Sequence, residues 1–221
     1  MDSDTELKNQ ILKAGTTIVG IVCKDGVVMA ADRQSTAGNI VMDKGSEKII
    51  SVNNYLAIAS TGMVSDIQKA VKYTAAELKI KELRSKTRPS VKQGANLLAS
   101  IIYQSIRQPT MLQFMVGSIV GGYNEDGSTE LYTIDPSGAI KQIKDYDANF
   151  GSGMPFVLGL LERQYKKGMS VSDGIKLAVE TIKSSTQRDI GSGFGIDVYS
   201  ITKEGLKKAV SQEIQPIYKE D

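Results

Sequence analysis

Short β-branched runs joined by tight-turn residues come in pairs along this chain, and pairs of amphipathic helical stretches separate them. That order leaves few ways to bury every apolar face. In TTIVGIVCKDGVVMAADR two runs, Thr16 to Cys23 and Val27 to Ala31, flank Lys24-Asp25-Gly26, and Asp-Gly between alternating runs is a strong hairpin signal. IISVNNYLAIAS repeats the pattern, with Asn53-Asn54 between Ile49 to Val52 and Tyr55 to Ala59. From Met63 the apolar period lengthens: Ile67, Ala70, Val71, Thr74 and Leu78 recur at helical spacing, which predicts one helix over residues 63 to 85. Ser90, with Gln93 three residues on, makes a capping box for a second helix whose face carries Val91, Leu98, Ile101 and Ile102. Residues 112 to 142 return to β patterning, the later pair turning on Asp135-Pro136-Ser137-Gly138. Two further helices are predicted at Pro155 to Tyr165 and Val171 to Thr186. A last strand pair follows at Ile196 to Ile201 and Leu206 to Val210, turned at Lys203-Glu204-Gly205.

Hairpins interrupted twice by helix pairs predict two largely antiparallel sheets stacked face to face, each covered on its outer side by two helices, because each sheet has a second apolar face to bury. A chain of 221 residues, 41% of them hydrophobic, suffices for such a core in one domain. No linker, repeat or low-complexity segment suggests a second.

Composition excludes several classes of function. Lys and Arg number 27 against 25 Asp and Glu, interspersed and without a basic block, so no nucleic-acid footprint is present. No apolar stretch approaches the ~20 residues of a membrane span. MDSDTELKNQILKAG lacks the basic and apolar regions of a secretory signal. A soluble, cytoplasmic chain without membrane contact is expected. Cys23 stands alone, so neither an internal disulfide nor a multi-cysteine metal site is expected. Neither GSG, at Gly151 and Gly191, belongs to a phosphate-binding loop pattern, so nucleotide binding finds no support; no cofactor or metal is expected.

The chain contains no histidine, which removes every Ser-His, Cys-His and HExxH chemistry. An enzyme built this way needs a lysine of lowered pKa, a carboxylate of raised pKa, or a terminal α-amine, whose ordinary pKa is about 7.7 to 8.0. Gly15-Thr16 offers the third. Cutting between them would leave Thr16 with an amine and a hydroxyl on adjacent carbons, so one residue would supply both base and nucleophile. Glycine before the cut would let the hydroxyl approach the preceding carbonyl without Cβ constraints. Read by itself, Gly-Thr-Thr is also ordinary strand grammar.

The wider sequence resembles a proteasome β subunit of the archaeal type. GTTIVGIVCKDGVVMAADR, EKI, STGMVSD, GSGMPFVLGLLE and QRDIGSGFGIDV occur in that family's order and spacing, from Gly15 to about Ile201. The resemblance implies an α+β fold, the four-layer αββα sandwich of N-terminal nucleophile hydrolases, which agrees with the element order read above. Residues 1 to 15 would be a propeptide removed by autocleavage at Gly15-Thr16, and 16 to 221 the hydrolase domain.

Carried over residue by residue, the resemblance makes Thr16 the catalytic threonine, Lys48 the active-site lysine and Asp32 its acidic partner. Ser152, Asp189 and Ser192 match the polar set that positions the terminal amine, and Gly62 the glycine whose N–H serves the oxyanion hole. Ser35, Ser46, Ser60 and Gln68 fall where the first substrate pocket is lined. Small and polar groups there disfavour large apolar side chains. Gln34 stands where the family often has arginine. The expected activity is that of a threonine endopeptidase acting on unfolded polypeptide delivered by an ATPase regulatory particle, inside seven-membered β rings capped by α-subunit rings. Two other readings stay open: a ring subunit of the same fold that is never processed, and a hydrolase of the bacterial two-ring protease type.

Overall fold

The computed structural model describes residues 15–215. Strands β1 (Ile18–Cys23) and β2 (Gly26–Asp32) form the first hairpin, paired from Ile18↔Ala31 to Cys23↔Gly26. Both read as nearly unbroken apolar runs because both of their faces are covered. Val28 and Ala30 point into one apolar layer, and Val27, Met29 and Ala31 into another. Strand β11 (Gly195–Thr202) joins β2, β12 (Gly205–Glu213) extends the edge beyond it, and the two-residue β10 (Tyr146–Asp147) closes the other edge beside β1. The second sheet runs β5-β6-β7-β8-β9, from β5 (Ile49–Asn53) and β6 (Leu56–Gly62) to β7 (Val116–Tyr123), β8 (Thr129–Ile134) and β9 (Ile140–Ile143).

Helices α1 (Val64–Ser85) and α2 (Val91–Ile106) cover the second sheet, while α3 (Met154–Gln164) and α4 (Val171–Thr186) cover the first. The molecule is therefore a four-layer αββα sandwich with three apolar seams. Ile18, Met29, Ile119 and Leu131 fill the seam between the sheets. Ile21, Leu161 and Ile182 fill one outer seam, and Ile58, Leu98 and Ile102 the other.

Local chemistry sets the helix ends. The Ser90 hydroxyl accepts from Gln93 N at 3.2 Å and Gln93 Oε1 accepts from Ser90 N at 3.2 Å, the reciprocal box expected there. Lys86 ends α1 in the left-handed region at φ 56°.

Three strands escape the sequence pattern. β3 (Ser35–Ala37) and β4 (Ile40–Asp43) form a separate hairpin, and β10 is two residues long. All are too short to show a period, and β4 is exposed throughout, so no buried face marks it. The β patterning expected from residue 112 begins at Val116 instead, because Met111 and Leu112 are exposed and precede the strand. Long-range pairing also lay beyond the pattern: β6 meets β7 across a helix pair, and β2 meets β11 across most of the chain.

Candidate active site

The end of β2 delivers Asp32 into a fully buried position, where its carboxylate accepts four hydrogen bonds. Oδ1 takes Lys48 Nζ at 2.6 Å and Thr17 N at 2.8 Å. Oδ2 takes Gln34 N at 2.9 Å and Gly193 N at 3.0 Å. Four donors thus converge on one carboxylate, which holds the Lys48 amine beside it. The lysine side chain is 6% exposed, and burial pushes its pKa below the ordinary lysine value, with Asp32 and then Asp189 pulling it back. This is no solvated surface pair. Its field acts where water does not screen it.

Thr16 precedes β1 and is 6% exposed. Its Oγ1 donates to the Gly15 carbonyl at 2.5 Å, and its N–H donates to Ser152 Oγ at 3.1 Å. Ser152 Oγ in turn donates to Asp189 Oδ2 at 2.7 Å, and Ser192 Oγ donates to the same oxygen at 2.6 Å. Since the one proton of Ser192 goes to Asp189, the 2.7 Å contact between Ser192 Oγ and Thr17 Oγ1 must have Thr17 as donor. Ser152 thus touches Thr16 directly. Asp189 and Ser192 orient Ser152 and anchor Thr17.

Two glycines meet at the junction. A Cβ on Gly15 would sit 2.1 Å from Gly191 Cα, so the two backbones cross in contact and neither position has room for a side chain. This requirement comes from a partner 176 positions away in sequence (191 − 15); the sequence reading, which assigned the glycine to the approach of the Thr16 hydroxyl, did not include it. Gly62 is constrained as well: its φ of +123° lies in the region that favours glycine, and a Cβ would meet the Met115 carbonyl at 2.1 Å.

A cleft of about 410 Å³ opens beside Thr16. Gly62 and all four expected pocket residues, Ser35, Ser46, Ser60 and Gln68, line it. Ser60 and Ser118 are buried and share a hydrogen bond of 2.9 Å, which gives this wall a polar patch. Ile50, Val64 and Ile67 supply apolar surface, and Asp43 and Glu47 supply negative charge. The expected site residues therefore form one connected group around Gly15 and Thr16, through the cleft lining and the hydrogen bonds given above.

Three further residues build this site without having been singled out for a role. The Thr36 Oγ1 accepts Gly15 N at 2.8 Å. Gln34 Nε2 donates to the Ile190 carbonyl at 2.7 Å, tying the end of β2 to the loop that carries Asp189. Asn149, at φ 45°, donates to Ser118 O, Thr133 Oγ1 and Ile134 O, which fixes the loop leading to Ser152 against the second sheet. Asn149 alone left a local signal, an Asn two residues ahead of a Gly-rich turn. Of the expected propeptide, residues 1–15, all but Gly15 lie outside the described residues.

Among the described residues no helix is long and apolar enough to cross a membrane, and no cluster of three or more His, Cys, Asp or Glu side chains is placed to hold a metal ion.

Residues 12–201 match the family model for proteasome subunits. The chain is 43% identical to a proteasome subunit beta of Nanoarchaeum equitans over 87% of its length and 96% of that protein. It is 39% identical to proteasome subunit beta of Methanopyrus kandleri over 93% of this chain and 96% of the relative. Against proteasome subunit beta 1 of Thermococcus gammatolerans the identity is 40%, again over 93% and 96%.

Proposed function

The chain belongs to the proteasome family, as a β subunit of the archaeal type, and from that premise we propose that it is a catalytic subunit, a threonine endopeptidase of the proteasome core. Assembly into rings with α subunits is a property of the family. The observation that carries the catalytic reading is the setting of Thr16, whose hydroxyl lies 2.5 Å from the Gly15 carbonyl oxygen while the buried Asp32–Lys48 pair is bonded to the next residue through Thr17 N.

In the proposed maturation, Thr16 Oγ1 attacks the Gly15 carbonyl carbon. A C–O bond forms, the Gly15–Thr16 C–N bond breaks, and the hydroxyl proton ends on the departing nitrogen, which becomes a free amine. Water then adds to the ester carbon and Oγ1 leaves with a proton, which releases residues 1–15 with a terminal carboxyl group. Peptide hydrolysis repeats the two steps on a bound substrate, with the freed amine accepting the hydroxyl proton, passing one to the leaving amine, and later activating water.

Each neighbour has a task in this scheme. The Lys48 charge lowers the cost of forming alkoxide character at Oγ1 in a site where few waters compete. Asp32 holds that lysine in place. Ser152, oriented by Asp189 and Ser192, fixes the amine so that it is not a freely rotating base. The Gly62 backbone N–H is the proposed donor to the developing oxyanion, a group whose loss typically costs on the order of 10² to 10³ in rate. Unfolded polypeptide threaded by an ATPase particle is the proposed substrate, in the cytoplasm.

The test is the intact mass of this chain from particles assembled with its α partner and any second β subunit. Loss of residues 1–15 together with peptide hydrolysis, both abolished by Thr16→Ala, is the expected result. A full-length mass under every assembly condition would leave a structural ring subunit in its place.

A further inference from the structure

Resting on the reading of Gly15–Thr16 as the bond that is cut, we infer that Thr36 is a positioning residue for that cleavage, its hydroxyl holding the Gly15 amide in place while Thr16 attacks. Thr36 Oγ1 accepts the Gly15 N–H at 2.8 Å. Thr36 stands where the β3–β4 ladder shifts register: Ser35 faces Asp43 and Thr36 faces Val41, which leaves Met42 of β4 without a partner on β3. The hairpin places this irregularity at the junction.

Contacts then pin both sides of the scissile bond. Before it, Gly15 is held at its nitrogen by Thr36 and at its Cα by the crossing backbone of Gly191. After it, the Thr16 nitrogen bonds Ser152 Oγ at 3.1 Å and the Thr16 carbonyl accepts Gly153 N at 3.2 Å. The carbonyl carbon to be attacked lies between these anchors. If Gly15 were held only by packing against Gly191, its peptide unit could pivot about that contact and swing the carbonyl away from Oγ1. Attack requires the reacting atoms aligned at about 3 to 3.5 Å, and small misplacements cost rate steeply. Thr36 bonds the Gly15 nitrogen while Oγ1 of Thr16 bonds the Gly15 carbonyl oxygen, so the contribution of Thr36 passes through Gly15.

The experiment follows processing in particles assembled with the α partner, by intact mass against time, for the wild type, Thr36→Val and Thr36→Ser. Valine keeps the shape and removes the acceptor, so loss of residues 1–15 is expected to be about fivefold slower, the effect of one ordinary hydrogen bond. Serine restores the acceptor and is expected to return the rate to within about twofold of wild type. Equal rates for wild type and valine, or a serine variant as slow as valine, overturn the assignment and leave the peptidase reading standing.

A second measurement needs no cleavage. In unprocessed Thr16→Ala particles, hydrogen exchange at the Gly15 amide is expected to quicken by about fivefold when Thr36→Val is added, and to stay slow with Thr36→Ser. Exchange at Gly15 that is indifferent to both changes overturns the assignment even if the valine chain assembles poorly. A wild-type chain that keeps residues 1–15 in every assembly overturns the peptidase reading and this assignment with it.

Discussion

Two hairpins next to each other in sequence build opposite kinds of structure at the same site. β1–β2 is buried on both faces and carries the proposed chemistry: Thr16 leads into its first strand and Asp32 ends its second. β3–β4 is short and open, with Ile40 and Met42 each 66% exposed, yet Ser35, Asp43 and Thr36 on it line the cleft or touch the junction. Groups that must keep an ion pair out of water sit on a strand whose neighbours cannot move. Groups that line the cleft sit on a hairpin whose second strand is exposed throughout, where substitution is expected to cost little stability. Burial and exposure are thus divided between adjacent segments of one chain.

The sharpest break of this comparison is chemical. Lys48→Met should lower kcat/KM of assembled particles by about 10² to 10³ or more, the range seen when a preorganised electrostatic group is lost. Its effect on stability should be smaller than that of removing its partner, because Asp32 keeps three backbone N–H donors. Asp32→Ala is expected to destabilise the fold by about 3 to 5 kcal/mol, read from the denaturant midpoint, since it strands a buried ammonium and three N–H groups. If the two variants proved equally unstable, Asp32 would not be the structural hub described above.

Packing gives the next contrast. Ile21→Ala, on a fully buried side chain of β1, should cost about 2 to 5 kcal/mol in chemical unfolding. Ile40→Lys in the exposed hairpin should stay within about 0.5 kcal/mol of wild type for the isolated chain. A large loss from Ile40→Lys would show that the second hairpin is packed as firmly as the first.

The smallest effect expected concerns pH. Burial, with help from Asp25 and Asp173, pushes the Cys23 thiol on β1 up to about 12 from its ordinary 9.0. Unfolded chains lose this proton near 9.0 while the folded chain keeps it, so the group's contribution to stability is complete below that pH and is lost as pH rises towards 12. Alkylation of Cys23 at pH 8 should accordingly require unfolding. Rapid labelling of the native chain would show that β1 opens locally.

Much of this was written locally. The strand pairs at 16–31, 49–59 and 196–210 and the helices at 63–85 and 171–186 were legible because apolar residues recur at periods of 2 and 3.6, and because Asp-Gly, Asp-Pro-Ser-Gly and the Ser90–Gln93 box announce where elements stop and start. The lack of histidine pointed to a base of another kind before any contact was known. The β3–β4 hairpin was illegible for the opposite reason: an exposed strand of three or four residues has no buried face to impose a pattern.

By itself, then, the sequence determined the order of the elements, the faces they bury and the residue types available for catalysis, since each of these depends on neighbours a few positions apart. Only the tertiary structure decided which groups meet. Thr16 reaches Ser152 across 136 positions and Thr17 reaches Ser192 across 175, and Gly193 arrives at Asp32 because β11 pairs with β2. Such contacts follow from how four layers stack and register, and no local periodicity encodes them.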